Sequence, residues 1–180
     1  VVAVVLLVAA LYGRADTGDY DFIIRNATLI DGSGDPAVRA DVALTGQRIT
    51  AISREPLQGR SARVIDASNL VLSHGFIDMH SLLAPFLKLP DAQSAVSQGL
   101  TTGLGGPDGS EPWPLKPPMD LVERNGTGIN ICMLVGHNSV RQAVMGLEDR
   151  APARAQMSRM KEMIAQAMDE GAWGLSTGLK

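Results

Sequence analysis

The sequence has few of the residues from which many common sites are built: one cysteine, three histidines and 4% aromatic side chains in 180 residues. The single cysteine, Cys132, excludes an internal disulfide, and its apolar neighbours favour a buried, inert thiol. The net charge of −3 leaves no basic footprint for nucleic acid. With 45% hydrophobic and 19% charged residues, the composition is that of a globular protein with a substantial core.

The apolar run over residues 1–11 is shorter than the roughly 20 residues that a membrane-spanning helix needs, so we expect no stable membrane span. Its length fits the apolar part of a secretory signal peptide, and Gly13-Arg14-Ala15 offers a small-x-small cleavage site. No methionine or basic residue precedes it. We therefore expect residues 1–15 to be a truncated signal peptide and the protein to be exported, to a periplasm or beyond. The alternative is a buried strand or helix of the mature fold.

Residues 20–73 have the pattern of short strands separated by turn signals. The turn cluster Asp31-Gly32-Ser33-Gly34-Asp35-Pro36 is the strongest of these signals. The predicted strands are residues 20–25, 41–44, 48–52 and 63–66. This region is predicted to be the N-terminal part of a β-sandwich subdomain.

From residue 74 to residue 180 the pattern changes to strand, loop and helix. The predicted strands are residues 76–80, 101–104, 128–135 and 172–175, with helices near 91–98 and over 153–170. In the second helix, Met157, Met160, Ile164, Ala167 and Met168 recur at helical spacing, which predicts core packing. A complete (β/α)8 barrel needs about 250 residues. Residues 74–180 are therefore predicted to be the first four βα units of a TIM-like α/β barrel, part of a larger enzyme.

The run Gly75-Phe76-Ile77-Asp78-Met79-His80-Ser81 predicts a buried strand that carries His80 to its C-terminal end. Active sites of parallel barrels lie at that end of the strands. Neutral imidazole is the commonest protein ligand for zinc-like ions, so His80 is a candidate ligand. A structural histidine beside a turn is the alternative.

The sequence resembles the amidohydrolase superfamily, specifically its D-aminoacylase (N-acyl-D-amino-acid deacylase) branch, from about Tyr20 to the last residue. The matching blocks occur in the same order as in the family: residues 20–27 and 30–34, the strand at Gly75, residues 98–102, 135–137, 144–146 and 171–179. One position departs from the family pattern. The first strand of the family carries His-x-His, and the second position here is Leu82, which cannot bind a metal.

The resemblance implies an enzyme that hydrolyses a non-peptide C–N (amide) bond with the help of one or two zinc ions. The metal polarises the amide carbonyl and activates water. The expected substrate is a small molecule, an N-acyl-D-amino acid. A dipeptidase or a cyclic-amide hydrolase of the dihydroorotase and hydantoinase kind is the alternative within the superfamily. The non-enzyme alternative is a catalytically incomplete fragment.

By the same resemblance, the metal ligands are His80, Asp108 and Lys180. Asp108 takes the place where the branch often has a cysteine, and a turn-forming Asp-Gly pair explains it equally well. Lys180 would ligate as a carbamate formed with carbon dioxide, because an ammonium group cannot bind a cation. A solvated lysine is the alternative.

Two residues after the third strand, His137 and Arg141, are expected at the rim of the site, where Arg141 would pair with a substrate carboxylate. A solvent-exposed helix charge is the alternative for Arg141. Asp78 alternates with His80 and is expected to orient a ligand or to bond a backbone donor. The catalytic base of the family is expected beyond residue 180, so we expect little hydrolysis from this chain alone. Oligomeric state is open.

Overall fold

The computed structural model describes residues 18–82, 87–111 and 113–178. The chain divides into two compact units, the first ending at Gly75 and the second beginning at Phe76. The predicted signal peptide over residues 1–15 lies outside the described residues. None of the helices in the described part of the chain combines the length and the apolar character required to cross a bilayer.

The first unit is a five-stranded mixed sheet built around one long strand. Its strands are β1 (Tyr20–Ile30), β2 (Val38–Thr45), β3 (Arg48–Ser53), β4 (Ser61–Asp66) and β5 (Val71–Ser73). β1 pairs with β2 in antiparallel register on one side, and β3 follows β2 as a hairpin partner. On its other side β1 pairs in parallel with β4 along its first half and with β5 along its second half. The sequence predicts four of these strands, and β5 is the addition.

The buried residues of this sheet come mainly from β1 and β2, and in β2 four consecutive residues, 40–43, are buried. Tyr20, Ile23, Ala43 and Leu57 form one buried cluster, and Leu57 reaches it from the loop after β3. Ile23 and Ala43 have no exposed surface. The hairpin between β2 and β3 closes at Gly46, whose φ of +60° suits glycine.

A buried carboxylate fixes the middle of β1. Asp41 is 6% exposed and accepts hydrogen bonds from the backbone N–H groups of Asn26 (2.9 Å) and Leu57 (3.1 Å). The Arg25 guanidinium lies 3.2 Å from the same carboxylate. Asn26 has a φ of +59°, and the β1–β2 register shifts between Ile24 and Ala27. Asp41 therefore satisfies the Asn26 N–H, which this bulge leaves without a strand partner, and also a donor from the loop after β3.

Replacing Asp41 by alanine is expected to lower the free energy of unfolding by about 3 kcal/mol, because it leaves a guanidinium and two N–H groups without their acceptor. Urea unfolding followed by circular dichroism measures the change. The matched control is Asp19→Ala, which removes the exposed ion pair with Arg60. An exposed pair contributes about 1 kcal/mol or less. Equal losses in the two variants would contradict the role given to Asp41.

The second unit contains parallel strands that pair in chain order. β6 (Phe76–Ser81) pairs with β7 (Leu100–Gly105), and β7 pairs with β8 (Asn130–Met133). After Leu134 the chain continues as β9 (Val135–Gly136), which pairs in parallel with β10 (Leu175–Ser176). The predicted single strand over 128–135 is therefore split at Leu134, where the pairing partner changes from β7 to β10. The C-terminal ends of all these strands point the same way within each ladder.

Helices follow the strands in this unit: α1 (Gln93–Val96), α2 (Lys116–Asn125), α3 (His137–Met145) and α4 (Arg154–Asp169). The predicted helices near 91–98 and 153–170 correspond to α1 and α4. Helix α2 was not predicted from the sequence. It begins with Lys116-Pro117-Pro118, and proline is compatible with the first turn of a helix. These elements together give a mixed α/β protein.

The main core of the second unit packs α4 against α3 and the strands. On α4 the buried residues are Met160, Met163 and Ala167, at i, i+3 and i+7. Two members of the predicted methionine stripe, Met157 and Met168, are more than 40% exposed. Residues from the other elements complete this core: Leu115, Met133, Val135, Val140, Met145 and Ala172.

The prediction that the strand at Gly75 is buried is wrong for most of its residues. Phe76, Ile77 and Met79 are 57%, 61% and 65% exposed. Among the described residues β6 pairs only with β7, and it forms the edge of its ladder. Only Ser81 of β6 is buried. Cys132, predicted buried, is partly exposed, and burial still raises the pKa of its thiol.

Candidate metal centre

The ends of two neighbouring parallel strands bring His80 and Asp108 together. His80 is the penultimate residue of β6, and Asp108 follows the end of β7 by three residues. The His80 Nε2 atom lies 3.6 Å from the Asp108 Oδ2 atom, and both side chains are open to solvent (69% and 46% exposed). An imidazole nitrogen and a carboxylate oxygen therefore face the same point at the C-terminal edge of the ladder.

The chain around His80 is held by its neighbours on β6. Asp78 accepts a hydrogen bond from the His80 backbone N–H at 3.0 Å. The Ser81 side chain is buried against Gly103 of β7, where an added Cβ would lie 3.0 Å from the serine Oγ. Asp78 thus bonds the backbone of His80, the second of the two roles expected for it.

Leu82 is 64% exposed. His80 and Leu82 are both exposed, one on each side of buried Ser81 in the sequence. The position that departs from the family pattern is therefore open to solvent, two residues after His80.

The Asp108 loop contains a second, partly buried carboxyl group at Glu111. Desolvation by burial raises the pKa of Glu111, and a hydrogen bond from the Gly106 N–H lowers it by a smaller amount. An acid with a raised pKa in the folded state binds its proton more tightly there than when unfolded. The stability that protonated Glu111 contributes is therefore lost as the pH rises from about 4.5, the ordinary pKa of a glutamate, through the higher pKa of Glu111 in the folded state.

Glu111→Gln is expected to remove this loss of folding stability at higher pH. The amide keeps an oxygen acceptor for the Gly106 N–H and carries no charge at any pH. The variant should be more stable than the wild-type chain at pH 7 and similar to it at pH 4, as measured by urea unfolding at both values. Glu123→Gln, at an exposed position of α2, is the control for removal of one negative charge. A Glu111 variant that loses stability at pH 7 would contradict this prediction.

Behind Asp108, three backbone segments meet at Gly109, Gly136 and Gly178, which we call the glycine junction. A Cβ on Gly178 would collide with the Asp108 carbonyl oxygen, and one on Gly136 with the Gly109 carbonyl oxygen. A Cβ on Gly109 would lie 2.8 Å from the Gly178 nitrogen, and Gly109 has a φ of +76°. The junction therefore requires glycine at each position.

Two side chains bond across the glycine junction. The Ser176 Oγ atom accepts a buried hydrogen bond from the Gly109 N–H at 3.1 Å. The Asn138 side-chain amide donates to the Gly178 carbonyl at 2.9 Å, and its backbone N–H donates to the Gly109 carbonyl at 2.8 Å. The sequence analysis did not identify either residue as functional. Ser176 lies within one of the family-like blocks, and that was the available signal.

Three further predicted site residues are His137, Arg141 and Lys180. His137 begins α3 and is half-buried, with its Nδ1 atom 3.3 Å from the Asn138 Oδ1 atom. The Arg141 guanidinium donates to the backbone carbonyls of Glu148 (2.7 Å) and Arg150 (2.9 Å), so it braces the loop after α3. Lys180 lies outside the described residues. Substrate contact by His137 and Arg141 stays a prediction.

The donor set at His80 and Asp108 fits zinc in kind and spacing. Two ligands bonded at about 2.0–2.1 Å to one tetrahedral ion lie about 3.4 Å apart. The observed separation of 3.6 Å is close to this. A catalytic zinc ion takes three protein ligands, and within the described residues no group of three or more His, Cys, Asp or Glu side chains is arranged to hold a metal. Among the described residues, His80 and Asp108 thus form a pair with the spacing expected of two zinc ligands.

Comparison with known proteins identifies the family. The chain is 36% identical over 182 residues to the N-acyl-D-aspartate deacylase of Alcaligenes xylosoxydans xylosoxydans, a match that covers 88% of this chain and 36% of the relative. It is 33% identical over 189 residues to the D-aminoacylase of the same organism, covering 92% of this chain and 39% of the relative. The chain belongs to the D-aminoacylase branch of the amidohydrolases. No protein-family model matches the sequence.

Solved structures of D-aminoacylase-type enzymes have the same fold over this region. The N-acyl-D-glutamate deacylase of Bordetella bronchiseptica, in complex with zinc and a phosphonate inhibitor, superposes with a TM-score of 0.81 at 31% identity, covering 89% of this chain and 39% of that one. A D-aminoacylase with a binuclear metal centre gives a TM-score of 0.78 at 30% identity, covering 88% and 38%. The chain thus spans under two fifths of the length of these D-aminoacylases.

Proposed function

We propose that this chain forms the part of an N-acyl-D-amino-acid deacylase that supplies His80 and Asp108 to a zinc site. The reaction would split an N-acyl-D-amino acid with water into a carboxylate and a free D-amino acid. The observation that carries the proposal is the 3.6 Å approach of His80 and Asp108 at the ends of adjacent parallel strands. It occurs in a chain that is 36% identical to a deacylase over nearly nine tenths of its length.

The finer architecture belongs to the same proposal. The in-order parallel pairing of β6, β7 and β8, and of β9 with β10, supports the first half of a (β/α)8 barrel in residues 74–180. The five-stranded sheet of residues 20–73 supports the N-terminal part of a β-sandwich subdomain. Each assignment follows the fold expected of the full-length relatives.

Each residue of the site would have its own role. His80 and Asp108 bind the ion, and Asp78 holds the His80 backbone in place. Lys180, as a carbamate, would supply a further oxygen donor, and His137 and Arg141 would contact the substrate. When bound, zinc polarises the amide carbonyl and lowers the pKa of water. The catalytic base would come from another part of the enzyme.

Two measurements test the proposal. The first is the zinc content of the purified chain, measured with its circular dichroism melt, where bound zinc and cooperative unfolding are expected. The second is release of free amine from N-acetyl-D-aspartate, N-acetyl-D-glutamate and N-acetyl-D-leucine by a deacylase-length protein that carries this sequence. Each substrate is compared with its L enantiomer and with hydantoin. A D-specific release supports the proposal, whereas preference for hydantoin or for L substrates would overturn it in favour of another amidohydrolase activity.

Export is also a proposal, and it rests on residues 1–15 alone. If these residues direct secretion, a fusion of residues 1–25 to a periplasm-dependent reporter, with an initiator methionine added, will be active outside the cytoplasm. A reporter that stays in the cytoplasm would remove the basis for export.

A further inference from the structure

We propose that Ser176 and Asn138 are positioning residues that hold the Asp108 carboxylate at the metal centre by fixing Gly109 and Gly178 across the glycine junction. This inference rests on the proposed zinc function. It adds two side chains that do not touch the metal position and that act through the backbone of the Asp108 loop.

Asp108 lies on a loop. β7 ends at Gly105, and the left-handed φ values of Gly106 (+80°) and Gly109 (+76°) lie on either side of Asp108. A ligand on a loop keeps its position only if the loop is anchored by other parts of the fold. The anchor must act close to residue 108, because each free backbone torsion between them would allow the carboxylate to move.

Gly109, the residue after Asp108, is hydrogen-bonded through both its N–H and its carbonyl group. Its N–H donates to the Ser176 Oγ atom at 3.1 Å, and its carbonyl accepts from the Asn138 N–H at 2.8 Å and the Ser139 N–H at 3.3 Å. The bond to Ser176 is buried, and Ser176 is 6% exposed. Buried hydrogen bonds of this kind are costly to break, because the donor is left without water or protein partner.

Asn138 also links the Asp108 loop to Gly178. Asn138 donates to the Gly178 carbonyl at 2.9 Å, and Gly178 packs directly on the Asp108 carbonyl. A shift of Gly178 would therefore displace the Asp108 backbone on which it packs.

The test uses a matched pair of variants at Ser176. Threonine and valine have nearly the same shape, so Ser176→Thr and Ser176→Val add similar bulk and differ in the hydroxyl acceptor. Co²⁺ is titrated into each chain, with binding followed by its visible absorption spectrum and by competition with a chromophoric chelator. We expect Ser176→Val to bind Co²⁺ about 10- to 100-fold more weakly than Ser176→Thr, the range typical of residues that support metal ligands. The amide of Gly109 is expected to exchange with solvent faster in the valine variant.

Asn138→Asp provides a second variant if the buried site at 176 accepts neither residue. It keeps the side-chain shape, loses the N–H donor to Gly178 and places a carboxylate against the Gly178 carbonyl, so weaker Co²⁺ binding is expected together with a lower midpoint of unfolding. A residue with a merely structural role would lower the midpoint of unfolding without changing the Co²⁺ affinity of the folded chain.

The outcomes separate the inference from the proposed function. If the wild-type chain binds no Co²⁺, or if Asp108→Asn leaves Co²⁺ binding unchanged, the proposed zinc site fails, and the inference fails with it. If Co²⁺ binding depends on Asp108 but is equal in Ser176→Thr and Ser176→Val, only the inference is overturned. Loss of affinity and an altered Co²⁺ spectrum in the valine variant alone support it.

Discussion

Asp108→Asn is expected to lower the zinc affinity of the chain by about 100-fold or more. Replacing a residue that merely supports a ligand costs 10- to 100-fold, and loss of a ligand costs at least as much. Asparagine keeps the shape of the side chain but presents a neutral amide oxygen 3.6 Å from the imidazole instead of a carboxylate. His80→Ala should have an effect of the same order, because it removes the second of the two donors.

Zinc affinity is measured by isothermal titration and by competition with a chelator at pH 7, with the circular dichroism melt recorded for each variant. Asp169→Asn, at an exposed position at the end of α4, is the control for the loss of one carboxylate. The interpretation of the metal centre would be wrong if Asp108→Asn and Asp169→Asn had the same affinity as the wild-type chain.

Leu82→His is expected to raise zinc affinity by about 100-fold, the converse of losing one ligand. The leucine is 64% exposed, so the change removes little packing. It lies two residues after His80, so the change adds a second imidazole close to the existing donors in the sequence and restores the family pattern His-x-His. The expected gain is in binding of the ion, and in a deacylase-length protein it should appear as activity as well.

The double variant Leu82→His with Asp108→Asn shows whether the new histidine binds the same ion. If the two changes act on one site, their effects on zinc affinity will not add. Leu82→Gln is the control, because it introduces polarity without imidazole. A gain that is unaffected by Asp108→Asn would indicate zinc bound elsewhere, and no gain at all would indicate a naturally altered site.

The local patterns predicted much of the secondary structure. Alternation and turn signals identified most strands of the first unit, and the helix over 153–170 was predicted within a residue of α4 at each end. Burial was harder to predict, because it depends on which elements cover a strand. Phe76, Ile77 and Met79 have the composition of a buried strand and are exposed at the edge of their ladder.

The candidate site was predictable in part. His80 was named because it ends an apolar strand, and Asp108 because of the family resemblance. The structure brings the two side chains within 3.6 Å of each other, and metal binding by them stays a prediction. Ser176 and Asn138 were missed because their role depends on a contact between residues 67 and 40 positions apart in the chain. No local pattern contains that information. Arg141, expected at the substrate, bonds carbonyls of its own loop, a partner set that only the folded loop after α3 creates.

The glycine junction has a consequence for how the metal preference of such a protein can change. The Asp108 atoms nearest to Gly178 are backbone atoms, whereas its carboxylate lies 3.6 Å from the His80 imidazole. Aspartate could therefore be replaced by cysteine at this position, the residue that the branch often carries, without moving the loop. A carboxylate suits harder ions and a thiolate suits softer ones. A single substitution at residue 108 would then change which metal ion the protein prefers, without a change in the backbone that carries the ligand.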